Sequence, residues 1–443
     1  MTPTPPNTPS AGLGLALAIG PEDAAAALLL LRQQEPDGSQ AATSMLLQLT
    51  GSAAQVDVPV ICLGHQAGEL GAHHGLVSEL LAALVKHAPE RIAGPSLESG
   101  DADATAACAA LRAAVLAWVG PTAQLAAGMA PPLRPAGLPS ATAVICTWNK
   151  VDDVCANLDG LRAQTLPFDD IVVVDNASHD ETADRLRADY PEVRLVVMPN
   201  SDYGACETFN IGFASARTDL IAILDDDVVL PPHWLERATQ RLGEEPATTA
   251  VLSTQVVEPG MPESYLQSPA MQSERYMSTF RGCASLARTQ AVREVGGYDE
   301  RLFIYGNERD MTCRLLNKGY RVLQYPGVSA FHNNPFGISM GKRSLYYHAR
   351  NAFLGMLKYA PLGDLVKMPF LVVTKVLLRS EAKELDGSVS DATGTLGLGR
   401  CLRETKGAWW VLVRAGWSVL CNIPYCLRHR EPVKSSDFEL PVQ

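Results

Sequence analysis

The chain is short of several features that would point it towards other functions. Its ten cysteines form no CxxC pair and no metal-ligand spacing, so they read as small buried hydrophobes rather than a disulfide framework or zinc ribbon. Positive charge is in deficit. Lys plus Arg number 37 against 48 Asp plus Glu, a formal net charge of -11, which argues against a nucleic-acid partner because phosphate binding draws on clustered Lys and Arg. No GxxxxGK[ST] or GxGxxG loop follows any apolar run, so neither a P-loop nor a Rossmann dinucleotide site is supported. Aromatic residues are only 6% and charged residues 19%, but with 47% hydrophobic residues these are globular values and wholesale disorder is not expected. No membrane-length run is free of interruption: Ala408 to Leu427 holds Arg414, Asn422 and Pro424. The first residues carry no positive segment ahead of their apolar stretch, so no secretory leader is expected and a reduced cytoplasmic setting is.

What the chain does have is an apolar run, Leu220 to Leu224, ending in three consecutive aspartates, Asp225, Asp226 and Asp227. A short aliphatic run reads as a buried strand, and carboxylates crowded at its end repel one another unless a cation sits between them. Hard oxygen ligands suit magnesium or manganese. The residues alone leave a second reading open, an acidic turn capping a helix begun at Pro231 and Pro232.

Residues 1–12 read as a flexible Pro/Thr/Ser-rich tail, and 13–130 as a small Ala/Leu-rich α/β domain of no legible role. In that domain a strand is expected over Val58 to Leu63 and helices over Leu76 to His87 and Ala104 to Val119. The His73-His74 pair there has no companion ligand at useful spacing and reads as an exposed loop. A Pro-rich linker, 131–140, precedes a change of pattern. Strands are then expected over Ala141 to Thr147, Asp170 to Asp175, Arg194 to Met198 and Leu220 to Leu224. Helices over Val151 to Gln164, Glu181 to Asp189 and Gly204 to Ala216 alternate with them. This alternation predicts βαβ crossovers and a largely parallel sheet, in which ligands bind beyond the carboxyl ends of strands. That rule gathers Thr147, Trp148 and Asn149, then Asp175 and Asn176, then the three aspartates along one edge.

From Gly341 to Gln443 there are 15 Lys plus Arg against 9 Asp plus Glu, so this helical region is basic while the rest is acidic. Trp409, Trp410 and Trp417 with Arg428, His429 and Arg430 suit a headgroup boundary, and Ala408 to Leu427 reads either as an interfacial amphipathic helix or as one packed on the catalytic domain. A membrane-bound acceptor would account for the basic surplus.

With VVVDNASHDET, LDDDV, VGGYDERLFIYGNERDMTCRL and His332 in order, the chain resembles family 2 glycosyltransferases of the GT-A fold over roughly residues 141 to 350. The aspartate triplet and downstream His are similar to those of the galactofuranosyltransferases, with rhamnosyltransferases a further resemblance. The resemblance implies an α/β GT-A catalytic domain over 141–340, with the small α/β domain before it and the helical extension 341–443 after it. It implies that Thr147, Asn149, Asp175, Asn176, Asp225 and Asp226 bind the nucleotide sugar, and that Asp225, Asp227 and His332 ligate Mn2+ or Mg2+. Glu308 falls on the position of the catalytic base, with Asp310 as the alternative, and Gly297, Tyr298 and Asp299 lie in the acceptor segment. Here the sequence departs from the family, which usually has Asp at the base and an acidic residue where this chain has Asn307. Glu is one methylene longer, so a backbone placed for Asp would misplace its carboxylate by about an ångström.

The expected activity is inverting, metal-dependent transfer from a UDP- or dTDP-linked sugar to a glycan or polyprenyl-linked acceptor. Cell-surface polysaccharide assembly at the inner face of the cell membrane is the expected setting. A sugar-nucleotidyltransferase is the rival class, but its GxGTRL-type loop is absent and the first strand runs into Cys146-Thr147-Trp148-Asn149-Lys150. A non-catalytic nucleotide-sugar-binding module is a third reading, raised by Asn307 and Glu308.

Overall fold

A computed structural model describes the strands at 14–18, 26–34, 41–49 and 61–62, and residues 137–198, 201–216, 218–337, 341–374, 378 and 398–440. The four N-terminal strands, β1 (Gly14–Ala18), β2 (Ala26–Gln34), β3 (Ala41–Leu49) and β4 (Ile61–Cys62), pair antiparallel in chain order. β4 falls inside the expected strand over 58–63. The expected tail, the helices over 76–87 and 104–119, His73-His74 and most of the linker lie outside the described residues.

The second sheet is built from β5 (Ala141–Thr147), β6 (Asp170–Asp175), β7 (Arg194–Val197), β8 (Leu220–Asp225), β10 (Thr249–Val257), β12 (Ala284–Arg288) and β13 (Arg321–His332). Two short strands, β9 (Val228–Val229) and β11 (Arg275–Tyr276), attach to β13. The order is β11-β13-β10-β12-β8-β5-β6-β7. β5, β6, β7 and β8 run parallel, as the βαβ alternation predicts, and β10 and β13 run parallel to each other. β12 is antiparallel to both β8 and β10, which it separates. The sheet is therefore mixed but largely parallel, the GT-A arrangement.

The central strands are aliphatic at nearly every position because both faces are covered. On one face Ile145, Val173, Ala222, Leu224 and Leu252 pack against α1 (Val151–Arg162), α2 (Thr182–Asp189) and α4 (Trp234–Glu244). On the other, Val144, Ile221, Ile223 and Val251 meet α3 (Ala205–Ser215), α7 (Thr289–Val295) and α8 (Asn307–Asn317). α5 (Glu263–Leu266) and α6 (Pro269–Gln272) are single turns between β10 and β11.

Two departures from the expected boundaries have physical causes. α1 stops at Arg162, where the backbone tightens to a Gln164 amide to Leu161 carbonyl bond and the Thr165 amide turns to the Pro232 carbonyl; Gln164 Nε2 donates to the Pro231 carbonyl at 2.8 Å and its Oε1 accepts from the Leu235 amide at 3.0 Å. The helix placed at Pro231 instead begins at Trp234, since residues 228–229 are taken up as β9, whose Val228 pairs with His332 and Val229 with Phe331. The aspartate triplet is thus not a helix cap.

The C-terminal region is helical: α9 (Lys342–Tyr359), α10 (Leu362–Val372), α11 (Leu398–Glu404) and α12 (Ala408–Arg428). α12 lies along α9 and buries Ala408, Val411, Ala415 and Cys426. Its other face exposes Trp409, Trp410, Val413, Trp417 and Leu420, so the packed and the amphipathic readings describe its two faces. Among the described residues no helix is long and apolar enough to cross a membrane.

Candidate active site

The pairing of β9 with β13 brings the end of β13 to the end of β8. His332 Nε2 lies 3.1 Å from Asp227 Oδ1 and 3.8 Å from Asp225 Oδ2, and one ligand atom from each of the three residues lies within 4.8 Å of the others. The Asn333 amide donates to the Asp227 carbonyl at 2.8 Å and Asn157 Nδ2 to the Asp225 carbonyl at 2.8 Å, so the backbone carrying both aspartates is fixed.

Two residues that sequence reasoning missed complete this cluster. Glu258, just past the carboxyl end of β10, holds His332 Nδ1 at 2.8 Å, and a carboxylate on the far nitrogen is what orients a metal-binding imidazole. Lys150 places Nζ 2.6 Å from Asp227 Oδ2 and 3.2 Å from Asp226 Oδ1. The strand-end rule that selected Asp175 would have found Glu258 had β10 been identified, and Lys150 directly follows the selected Thr147, Trp148 and Asn149.

Charge is concentrated here. Burial raises Asp226 to about 6 against the pull of Lys150. Burial also opposes ionisation of Asp227, but the contacts from His332 and Lys150 outweigh it and bring Asp227 down to about 2. Burial disfavours the His332 imidazolium, yet Asp227 and Glu258 raise that residue to about 10. Two carboxylate oxygens and an oriented imidazole nitrogen form a donor set that fits a divalent ion such as manganese or magnesium.

Thr147 and Asp175 sit side by side at the carboxyl ends of β5 and β6. Asp175 is fully buried; its Oδ1 accepts from the Ser178 amide and hydroxyl at 3.0 and 2.5 Å, while Oδ2 has no partner. An unpartnered buried carboxylate oxygen is costly unless a ligand donor meets it. Asn176 donates from Nδ2 to the Tyr203 carbonyl at 2.9 Å and leaves its buried Oδ1 unpartnered. Asn149 does something else. With φ of 53° it accepts at Oδ1 from the His179 amide at 2.7 Å, and its own amide donates to Ser178 Oγ at 2.8 Å. It ties the turn after β5 to the turn after β6.

Glu308 is in the first turn of α8, and its carboxylate lies against Gly282, where a Cβ would meet Oε1 at 2.3 Å. Asn307 Nδ2 donates to that oxygen at 2.9 Å. Burial raises Glu308 to about 7, and the negative charge of Asp225 adds to the effect. Ahead of α8 the backbone is strained at Phe303 and Tyr305, with φ of 68° and 66°, before a left-handed Gly306 with φ of 76°. Asn351 of α9 stabilises that turn, its Nδ2 donating to the carbonyls of Leu302, Ile304 and Tyr305 at 2.9 Å each.

Asp310, the alternative base, lines the same cavity as Glu308, but its carboxylate is taken up in ion pairs. Lys358 holds one of its carboxylate oxygens and Arg314 Nη2 the other at 2.9 Å. The same Lys358 Nζ lies 2.7 Å from Asp299 Oδ2, which also accepts from Tyr425 Oη at 2.8 Å. Asp310 thereby joins α8 to α9 through a buried ion pair with Lys358, and Asp299 joins the same lysine to α12 through the Tyr425 hydroxyl. Gly297 and Tyr298 are likewise committed. Asn210 bonds both the amide and the carbonyl of Tyr298, at 2.7 and 3.0 Å, and a Cβ on Gly297 (φ 70°) would meet Asn210 Oδ1 at 2.4 Å. The Tyr298 ring is buried against Phe209 and Phe213. The structure thus brings together Asp225, Asp226, Asp227, His332, Thr147 and Asp175, with Glu308 within electrostatic reach. It does not bring Gly297, Tyr298 or Asp299 to the cavity beside Glu308.

Residues 142–298 match the family model described as Glycosyl transferase family 2. The chain is 26% identical over 201 residues to the uncharacterized glycosyltransferase YwdF of Bacillus subtilis (strain 168), covering 43% of this chain and 72% of that one. It is 26% identical over 134 residues to an N-acetylglucosaminyl-diphospho-decaprenol L-rhamnosyltransferase of Mycobacterium tuberculosis (strain CDC 1551 / Oshkosh), covering 28% of this chain and 44% of that one. Other curated relatives are spanned over only 34% and 38% of their length. A mannosyltransferase from Pyrobaculum calidifontis, solved with GDP-Man and Mn2+, aligns over 80% of this chain and 87% of that one with 15% identity and a TM-score of 0.40, a loose likeness.

Proposed function

We propose that the protein, whose residues 142–298 match the family 2 glycosyl transferase model, is an inverting, metal-dependent glycosyltransferase acting on a nucleotide-diphosphate sugar. The observation that carries this reading is the convergence of Asp225, Asp227 and His332 beside a raised carboxyl, Glu308, at one sheet edge. Asp175 Oδ2 and Asn176 Oδ1 await donor groups from the nucleotide, with Thr147 beside them. Asp225, Asp227 and His332 would hold a divalent ion, which would supply positive charge against the departing diphosphate. Glu308, ionised, accepts the proton of an acceptor hydroxyl as that oxygen bonds to the anomeric carbon and the bond from that carbon to the diphosphate oxygen breaks. One displacement inverts the configuration, and Lys150 adds a second cation beside the same carboxylates.

The acceptor is a glycan or polyprenyl-linked sugar in cell-surface polysaccharide assembly, met at the cytoplasmic face of a membrane. The outward Trp409, Trp410 and Trp417 of α12 and the basic surplus of residues 341–443 support that setting. The test is a screen of UDP-, dTDP- and GDP-sugars with and without Mn2+, scoring thermal stabilisation and donor turnover. Metal-dependent turnover that survives unchanged in Asp227→Ala would refute the reading. Tight donor binding without turnover on any acceptor would favour the binding module.

A further inference from the structure

As the base of glycosyl transfer, Glu308 must meet the attacking hydroxyl, and the wall around its carboxylate bears on what carries that hydroxyl. A cavity of about 340 Å3 adjoins the Glu308 carboxylate. That size lies in the lower part of the range for small-molecule pockets, about 300 to 1,000 Å3. Its wall includes Glu258 and Cys283 beside the metal cluster. Elsewhere the wall is Met261, Phe280, Leu302, Phe336, Met356 and Phe438.

Several of the polar groups on this wall are already committed. Asp310 is held by Lys358 and Arg314, and Asn351 by three carbonyls. Arg309 donates to Ser278 Oγ and to the Glu439 carbonyl, at 3.3 and 2.8 Å. His348 stacks on Tyr305 with ring centroids 4.3 Å apart. A sugar ring placed here would bury several hydroxyls against apolar carbon, at a cost that an alkyl or aryl group avoids.

Resting on the reading of Glu308 as base, we propose that this cavity receives an apolar portion of the acceptor, a hydrocarbon chain or an aromatic ring, attached close to the hydroxyl that Glu308 deprotonates. Chain and ring share the chemistry and differ in source, so the test separates them. Gly355 of α9 lines the cavity, and a Cβ built there meets nothing within 4 Å. A side chain at this position therefore starts into open space, Gly355→Leu directs added bulk at the cavity wall, and Leu is the better helix former.

The full chain, with its turned-over donor and Mn2+, is assayed on octyl, phenyl and methyl glycosides of one sugar panel. The expected result is kcat/KM at least about tenfold higher for an octyl or phenyl glycoside than for its methyl counterpart, and loss of that advantage in Gly355→Leu. An advantage confined to octyl assigns a hydrocarbon chain, and one confined to phenyl assigns a ring. If no glycoside is glycosylated, donor hydrolysis answers the same question: the expected result is saturable suppression by octyl or phenyl but not methyl glycosides, abolished in Gly355→Leu. Equal behaviour of the three glycosides, or an advantage that persists in Gly355→Leu, overturns the proposal. Absence of any metal-dependent donor turnover fails the glycosyltransferase reading itself, a different result.

Discussion

Glu308 offers the sharpest test, because its raised carboxyl makes opposite demands on activity and stability. At about 7 it sits well above the ordinary carboxyl value of 4.5, mainly through burial. A base must be deprotonated, so kcat/KM is expected to rise about tenfold between pH 6 and pH 8 along a limb centred near 7. Stability runs the other way. Between pH 4.5 and about 7 the folded chain retains a proton that the unfolded chain has lost, so Glu308 destabilises the fold progressively across that window and fully above it. The gap is worth on the order of 3 kcal/mol at most, and less to the extent that water reaches the half-buried carboxylate. Glu308→Gln keeps the shape and removes the ionisation. It should lower turnover by about 100-fold or more while making the protein more resistant to urea at pH 8, with the stability difference closing towards pH 5. Initial rates and urea melts across pH 5 to 9 measure both. A flat rate profile through pH 7, or Glu308→Gln keeping more than about a tenth of the activity, would refute the reasoning.

Glu258→Gln should weaken Mn2+ binding by about 10- to 100-fold, since the imidazole of His332 loses the carboxylate that orients it; calorimetric titration of the metal measures this. Lys358→Met leaves Asp299 and Asp310 buried without their shared cation and should cost about 3 to 5 kcal/mol in urea unfolding. Replacing Trp409, Trp410 and Trp417 together by Ser should abolish co-sedimentation with vesicles rich in phosphatidylglycerol while leaving the melting temperature within a few degrees, because all three rings face solvent.

The sheet edge was legible because a parallel strand buried on both faces announces itself as an aliphatic run, and its carboxyl end as the first polar residues after it. β5 and β6 lie where their residues placed them for that reason. The same rule found Thr147, Asp175 and Asp225, which end β5, β6 and β8. It has nothing to say of the segment expected at the acceptor. Gly297, Tyr298 and Asp299 match a family motif in sequence, but Asn210, Lys358 and Tyr425 engage them, and those partners come from α3, α9 and α12. No local pattern records such long-range pairings. Asp310 illustrates the same point: as a helix N-terminal acid beside Glu308 it is indistinguishable from a base until Lys358 is seen to hold it. Whether 408–427 lies at a membrane interface or packs on protein was undecidable from composition; the structure packs one face and leaves the tryptophan face exposed.

The short pairing of β9 with β13 means that the residues proposed to hold a cation come from segments far apart in the chain and meet only when β13 is laid down. A nascent chain that has not yet made β13 carries an acidic trio with no histidine to complete it. The affinity of an ion bound there would therefore report on completion of the sheet, and such an ion would act as a clasp that resists peeling of β13 from β9.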